Sequence, residues 1–131
     1  MAQIPEQFLD LFERKVFAHL ATVSPKGEVQ VNPVWVDLQE GLVRFNSARG
    51  RQKDRNIRNN PAVALSLQDP DQPYRYLEVR GRVVDITEEG ADGVIDHLAH
   101  KYLGVDTYPH RTPGEVRVTY LVQPERCTTM G

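Results

Sequence analysis

Val116, Val118, Tyr120 and Val122 place an apolar side chain at every second position, and the same period runs through Val63, Leu65 and Leu67 and through Leu77, Val79, Gly81 and Val83. Successive side chains of a strand point to opposite faces, so a period of two predicts strands with one buried face. Six such stretches are expected: Val16–Val23, Val29–Asp37, Leu42–Asn46, Ala62–Leu67, Tyr74–Ile86 and a last one from Val116. Ser24-Pro25-Lys26-Gly27 and Asp69-Pro70-Asp71-Gln72-Pro73 are strong turn signals between them. Helical spacing is confined to short pieces. Phe8, Leu9 and Phe12 share a face behind Pro5, and Ala91, Val94, Ile95, Leu98, Ala99 and Tyr102 form a stripe that Thr87 is expected to cap and Gly104 to end. Few helices and many tightly joined strands predict a mainly β fold, a six-stranded antiparallel barrel forming a single domain over residues 1–131.

The second strand breaks its own rule. Val29 and Val31 are apolar on odd positions, whereas Val34 and Val36 are apolar on even ones, with Pro33 at the switch. A two-residue period cannot keep one face in the core through such a switch without a bulge or cover on both sides. Proline cannot donate to a ladder, which favours an edge or a bulge there. Trp35 then faces away from Val34 and Val36, either packed in a core or dimer contact or lining a planar ligand.

Sixteen Lys and Arg against eighteen Asp and Glu give a net charge of −2, yet the ten residues from Arg49 to Arg58 hold five bases and one acid, a local +4. Gly50 permits a tight turn and Pro61 stops the helix that follows, whose stripe is Arg51, Arg55 and Arg58. A helix start flanked by Arg and Lys binds phosphate well, although a basic helix is also an ordinary solvated surface. Aromatic residues are not interleaved with these bases, which argues against nucleic acid. His97 and His100 lack a third metal ligand, His19 sits in a strand, and Cys127 has only Arg126 as a basic neighbour, so no metal site and no thiol nucleophile are expected. His110 and Arg111, in the late loop, are weaker ligand candidates. No acid–base constellation stands out, which points to binding or to a reaction whose hard step a cofactor carries. The single cysteine, the absence of a signal-like N-terminus and of any run near ~18 apolar residues predict a cytoplasmic protein with no membrane span.

The order of a helix, the hairpin Leu20-Ala21-Thr22-Val23 … Gln30-Val31-Asn32-Pro33-Val34-Trp35, a strand, the basic stretch Arg51-Gln52-Lys53-Asp54-Arg55-Asn56 ending at Asn59-Asn60-Pro61, the long strand through Val79-Arg80-Gly81-Arg82-Val83 and a closing strand resembles a known family. It is similar to the flavin/deazaflavin split-barrel superfamily related to pyridoxamine 5′-phosphate oxidase, and within it to the reductases that use coenzyme F420. The resemblance covers about residues 5 to 128 and implies a six-stranded split β-barrel, a homodimer and a cofactor groove at the dimer interface. It implies that Arg51, Gln52, Lys53, Arg55 and Asn56 hold the cofactor phosphate and ribityl tail, with Ser47 and Arg49 at the rim. It also implies that the backbone of a bulged strand, Asn32, Pro33, Val34, Trp35 and Val36, passes along the ring, and that Tyr76 and Leu77 make a further contact. Pyridoxamine phosphate oxidases carry an Arg/His-bearing C-terminal substrate segment that has no counterpart before Gly131, which disfavours vitamin B6 oxidation.

The expected function is therefore hydride transfer from reduced F420 to an electron-poor small molecule, such as an enone, quinone, tetrapyrrole or lactone. FMN is the alternative cofactor, and a non-catalytic carrier of F420 or another small ligand is the alternative class. The basic residues from Arg49 to Arg58 outnumber what one phosphate needs, which favours F420 with its lactyl–oligoglutamate tail. No catalytic side chain can be named, because hydride transfer needs no signature residue.

Overall fold

The computed structural model describes residues 2–131. A 3-10 turn at Glu6–Phe8 leads into α1 (Asp10–Glu13), then β1 (Ala18–Val23), β2 (Val29–Val34), β3 (Asp37–Gln39), β4 (Leu42–Ala48), α2 (Gln52–Asn59), β5 (Ala62–Gln68), β6 (Tyr76–Thr87), α3 (Ala91–Leu103) and β7 (Arg117–Met130). Seven strands form one antiparallel sheet in the order β2-β1-β5-β6-β7-β4-β3. The class is the expected split barrel; the count is seven because the stretch Val29–Asp37 breaks at Trp35–Val36 and its end becomes β3. No helix is long and apolar enough to cross a membrane among the described residues.

The alternating residues do what their period predicts. Val63, Leu65 and Leu67, Leu77, Val79 and Val83, and Val118, Tyr120 and Val122 all face one core, with Phe8, Leu11 and Phe12 closing it at one side. The phase switch in β2 has a different cause from the one expected. Pairing with β1 runs unbroken from Val23↔Val29 to Ala18↔Val34, with no bulge. Even positions face inward throughout, so Val29 and Val31 lie outside at 75% and 63% exposure. Pro33 is accommodated because β2 is the sheet edge, where its missing N–H costs no ladder bond. The bulges are in the β6–β7 ladder, between Arg80 and Gly81 and between Val83 and Asp85.

α2 plugs the barrel mouth. The Asn56 amide donates to Thr22 Oγ1 of β1 (2.9 Å), and the Tyr120 hydroxyl of β7 donates to Asp54 (2.6 Å), joining strands that are not neighbours in the sheet. Gly50, at φ +89, makes the left-handed turn before α2 and gives its N–H to Asp54 at 2.9 Å. β4 and β7 are covered on their other face by α3 through Ile95, Leu98 and Tyr102. Thr87 does not cap α3; it ends β6, and the helix starts after Gly90. Gly104 ends α3 in the left-handed conformation as expected.

Arg14 and Arg75 tie the N-terminal segment to the β5–β6 turn. Asp69, whose side chain is 3% exposed, accepts from Arg75 at 2.9 Å, from Arg14 at 3.1 Å and from the Asp71 N–H at 2.8 Å. These bonds, Arg14 first, hold its carboxyl well below the usual carboxylate range. A depressed carboxylate contributes stability that is present above its unfolded value, near 3.9, and lost as pH falls toward its folded one. Melting curves of Asp69→Asn are thus expected to sit below the parent at neutral pH and to converge with it as pH drops below about 4.

Candidate functional site

A cleft of about 180 Å³ opens where the end of β2, the end of β4, the start of α2, α3 and the loop between α3 and β7 meet. Its apolar wall is built by packing. Trp35 stacks on Tyr102 (centroids 5.3 Å, interplanar 10°) and meets Tyr108 edge-on at 6.0 Å, with Phe17, Pro33 and Val34 beside it. Tyr108 in turn meets His110 at 5.6 Å. The opposite wall is cationic, carrying Arg51, Lys53 and Arg117 together with Asn46 and Ser47.

Each cation is placed by its strand or turn. Arg117 is buried, donating to Asn46 Oδ1 (2.9 Å) and to Glu115 (3.1 Å), with its guanidinium over the Tyr108 ring at 5.1 Å. Arg51 reaches the other oxygen of Glu115 at 3.1 Å. Burial pushes the Glu115 carboxyl up, but Arg117, Thr112 and Arg51 together outweigh it and hold it below the ordinary value. Lys53 has no hydrogen-bond or ion-pair partner among the described residues. Burial, then repulsion from Arg51 and Arg117, pulls its ammonium below the usual lysine value. Arg51 and Arg117 therefore share the carboxylate of Glu115, and Lys53 is left without a counter-ion among the described residues. Beside them the Ser47 hydroxyl is buried with no hydrogen-bond partner among the described residues. An orphaned hydroxyl and an unpaired, half-buried ammonium both go satisfied when an anion enters, and a planar ring matches the aromatic wall. The donor set thus fits a ring cofactor with an anionic tail.

Of the residues picked from the sequence, the structure brings Pro33, Val34, Trp35, Ser47, Arg51 and Lys53 to the cleft. Asn32 is paired with Leu20 and Val36 is buried beside Tyr102. Arg49 is spent on Glu88. Arg55 turns back onto the Gly50 carbonyl and onto Gln52 (2.6 Å), while Gln52 also donates to Asn56 (2.7 Å). Asn56 is buried under α2. Tyr76 and Leu77 are not in this cleft: Leu77 is fully buried in the barrel core, opposite Leu67 and Thr129. At the start of α2 the Asp54 carboxylate takes the Gly50 N–H. Arg117, Asn46, Tyr108 and Phe17 also line the cleft and are not among the site residues that the sequence singles out. Arg117 carried a signal, being a charge set in an otherwise apolar alternating strand. His110, weakly favoured, does line the cleft, whereas Arg111 pairs with Asp92 (2.9 Å) and Asp96 (2.6 Å) and pins the loop to α3. No group of three or more metal-ligating side chains occurs among the described residues.

A family model described as pyridoxamine 5′-phosphate oxidase matches residues 4–130. Among solved structures, an F420 reductase is similar at 42% identity and a TM-score of 0.83, over 95% of this chain and 98% of that one. A conserved hypothetical protein from Mycobacterium tuberculosis (TM-score 0.77, 20% identity, 99% of this chain and 86% of that one) shares the fold. So does HupZ from Group A Streptococcus (TM-score 0.68, 22% identity, 96% and 93%). No protein with a curated description matches the sequence.

Proposed function

The chain belongs to the pyridoxamine 5′-phosphate oxidase family, and from that premise we propose that it is a reductase using coenzyme F420 to reduce an electron-poor small molecule such as an enone, quinone, tetrapyrrole or lactone. The observation that carries the reading is the cationic wall, where Arg51 and Arg117 share the Glu115 carboxylate and Lys53 has no counter-ion among the described residues, facing an aromatic wall across one cleft. The similar F420 reductase supports the choice of cofactor. When bound, reduced F420 supplies a hydride from C5 of the deazaflavin.

This chain's residues supply binding and orientation. Lys53 and Arg51 hold anionic groups, Ser47 offers its hydroxyl, and Trp35 with Pro33 and Val34 gives the ring a flat apolar surface. Tyr108 and His110 line the same cleft, and in this reading their hydroxyl and imidazole are the candidates to pass a proton to the acceptor. In an assay of electron-poor acceptors, the protein is expected to oxidise reduced F420 in an acceptor-dependent way. Turnover with reduced FMN and none with reduced F420 would contradict the reading.

The proposal includes a homodimer of residues 1–131 acting as one split-barrel domain per subunit. Its support is the outer face of the sheet edge, where exposed Val29 and Val31 adjoin a shallow groove lined by Ala21, Val23, Ala62 and Ala64. Light scattering at micromolar concentration is expected to give twice the chain mass, and Val31→Asp to give the single chain mass. A parent protein that stays monomeric would contradict the dimer.

A further inference from the structure

Every buried backbone N–H and C=O needs a partner, and at the break between β2 and β3 the sheet stops supplying them. Trp35 and Val36 lie in that break, with no ladder partner on either side. Val36, fully buried, finds its partners on α3 instead. Its N–H donates to the Tyr102 hydroxyl at 3.1 Å, and its carbonyl accepts from Lys101 Nζ at 2.5 Å. The Tyr102 hydroxyl donates onward to the Val16 carbonyl at 2.6 Å, and Lys101 also donates to the Phe12 carbonyl. The same Tyr102 ring carries Trp35 stacked at 5.3 Å on one side and the Lys101 ammonium 4.7 Å from its centroid.

We propose that Lys101 and Tyr102, two consecutive residues of the last turn of α3, are positioning residues that clamp the Val36 peptide and thereby aim the Trp35 indole into the cleft. The orientation of Trp35 within the apolar wall is set by the helix and not by the ladder, which ends at Val34. The clamp is dry. Burial brings the Lys101 ammonium down to about 8 although Asp37 and Glu13 oppose this, and burial, helped by Asp37, pushes the Tyr102 hydroxyl up to about 12 against the bond to Val36. Neither group lines the cleft, so each acts through Trp35. The consequence for ligand binding rests on the reading of the cleft as a ring-binding site; the positioning of Trp35 does not.

Trp35 is the only tryptophan in the chain, so its emission reports the clamp directly. The variants are Tyr102→Phe, which keeps the stacked ring and removes the hydroxyl, and Lys101→Met, which keeps the aliphatic stem and removes the donor. Lys101→Arg is the conservative rescue and Val79→Ala, in the barrel core, is the control for general destabilisation. The first two are expected to red-shift Trp35 emission and raise its acrylamide quenching in the ligand-free protein, with unchanged far-UV circular dichroism. Lys101→Arg is expected to restore much of the parent signal and Val79→Ala to leave it alone. F420 titration should show an increase in dissociation constant of about tenfold for the first two, the scale set by a small misplacement of a binding surface. Parent-like emission and quenching in both variants, or the same shift in Val79→Ala, would overturn the inference. Should the parent bind neither F420 nor FMN while the emission results hold, the proposed function fails and the clamp stands.

Discussion

Lys53→Ala is expected to weaken F420 binding by roughly ten- to a hundredfold, the loss of one charge-assisted hydrogen bond of ~1.5–3 kcal/mol, without lowering the melting temperature of the ligand-free protein. The two halves of this result have one cause. Lys53 is half-buried, unpaired and repelled by Arg51 and Arg117, so the empty fold gains nothing from its charge. Removing it relieves that repulsion, and the melting temperature should hold or rise slightly. Arg58 looks like a natural comparison on the same helix but is unsuited to it, because its guanidinium donates to buried Asp54 at 3.0 Å and its loss would disturb the barrel plug. Lys26, on the exposed β1–β2 turn, is the better control and is expected to change neither quantity. A Lys53→Ala protein that binds like the parent would reduce the cationic wall to surface charge.

Gly81→Ala is expected to cost about 3 kcal/mol or more of folding stability, which for a chain of this size lowers the melting temperature by roughly 10 °C. Gly81 faces the core beside the irregularity in the β6–β7 ladder. A Cβ there would lie 2.2 Å from the Gln123 carbonyl oxygen and 3.0 Å from Val122 Cγ1. The obstacle is backbone in a paired strand, so relief means breaking the longest ladder of the sheet. Gly93→Ala makes the opposite case. It lies inside α3 with open space around it, and the same change should add about 0.5–1 kcal/mol through helix propensity and a less flexible unfolded chain. Parent-like melting of Gly81→Ala would mean that the β6–β7 register is looser than described.

These two residues also mark what the sequence makes legible. The alternation around Gly81 identifies β6 and its buried face, because both neighbours in the sheet obey the same period. The period does not say why an apolar side chain is there. Val29 and Val31 alternate as if they faced the core, but they belong to the outer face of an edge strand, and Pro33 marks the edge and not a bulge. The basic stretch is legible as a site for a similar reason and only in part. Each helical residue turns by about 100° from the last, so of Arg51, Gln52, Lys53, Arg55 and Asn56 only Arg51 and Lys53 reach the cleft. The others fold back onto the turn or under the helix. Arg117, Tyr108 and Asn46 complete the site from β7, the late loop and β4, a proximity that the β4–β7 pairing creates and no local pattern announces.

A cleft with three cations facing an aromatic wall is expected to bind a polyanionic deazaflavin. Titrating the parent protein with F420 and, separately, with FMN at low and high ionic strength, followed by fluorescence, tests it most directly. F420 is expected to bind more tightly, with an affinity that falls as salt screens Arg51, Lys53 and Arg117. Tighter binding of FMN, or a protein that purifies yellow with a flavin bound, would contradict it.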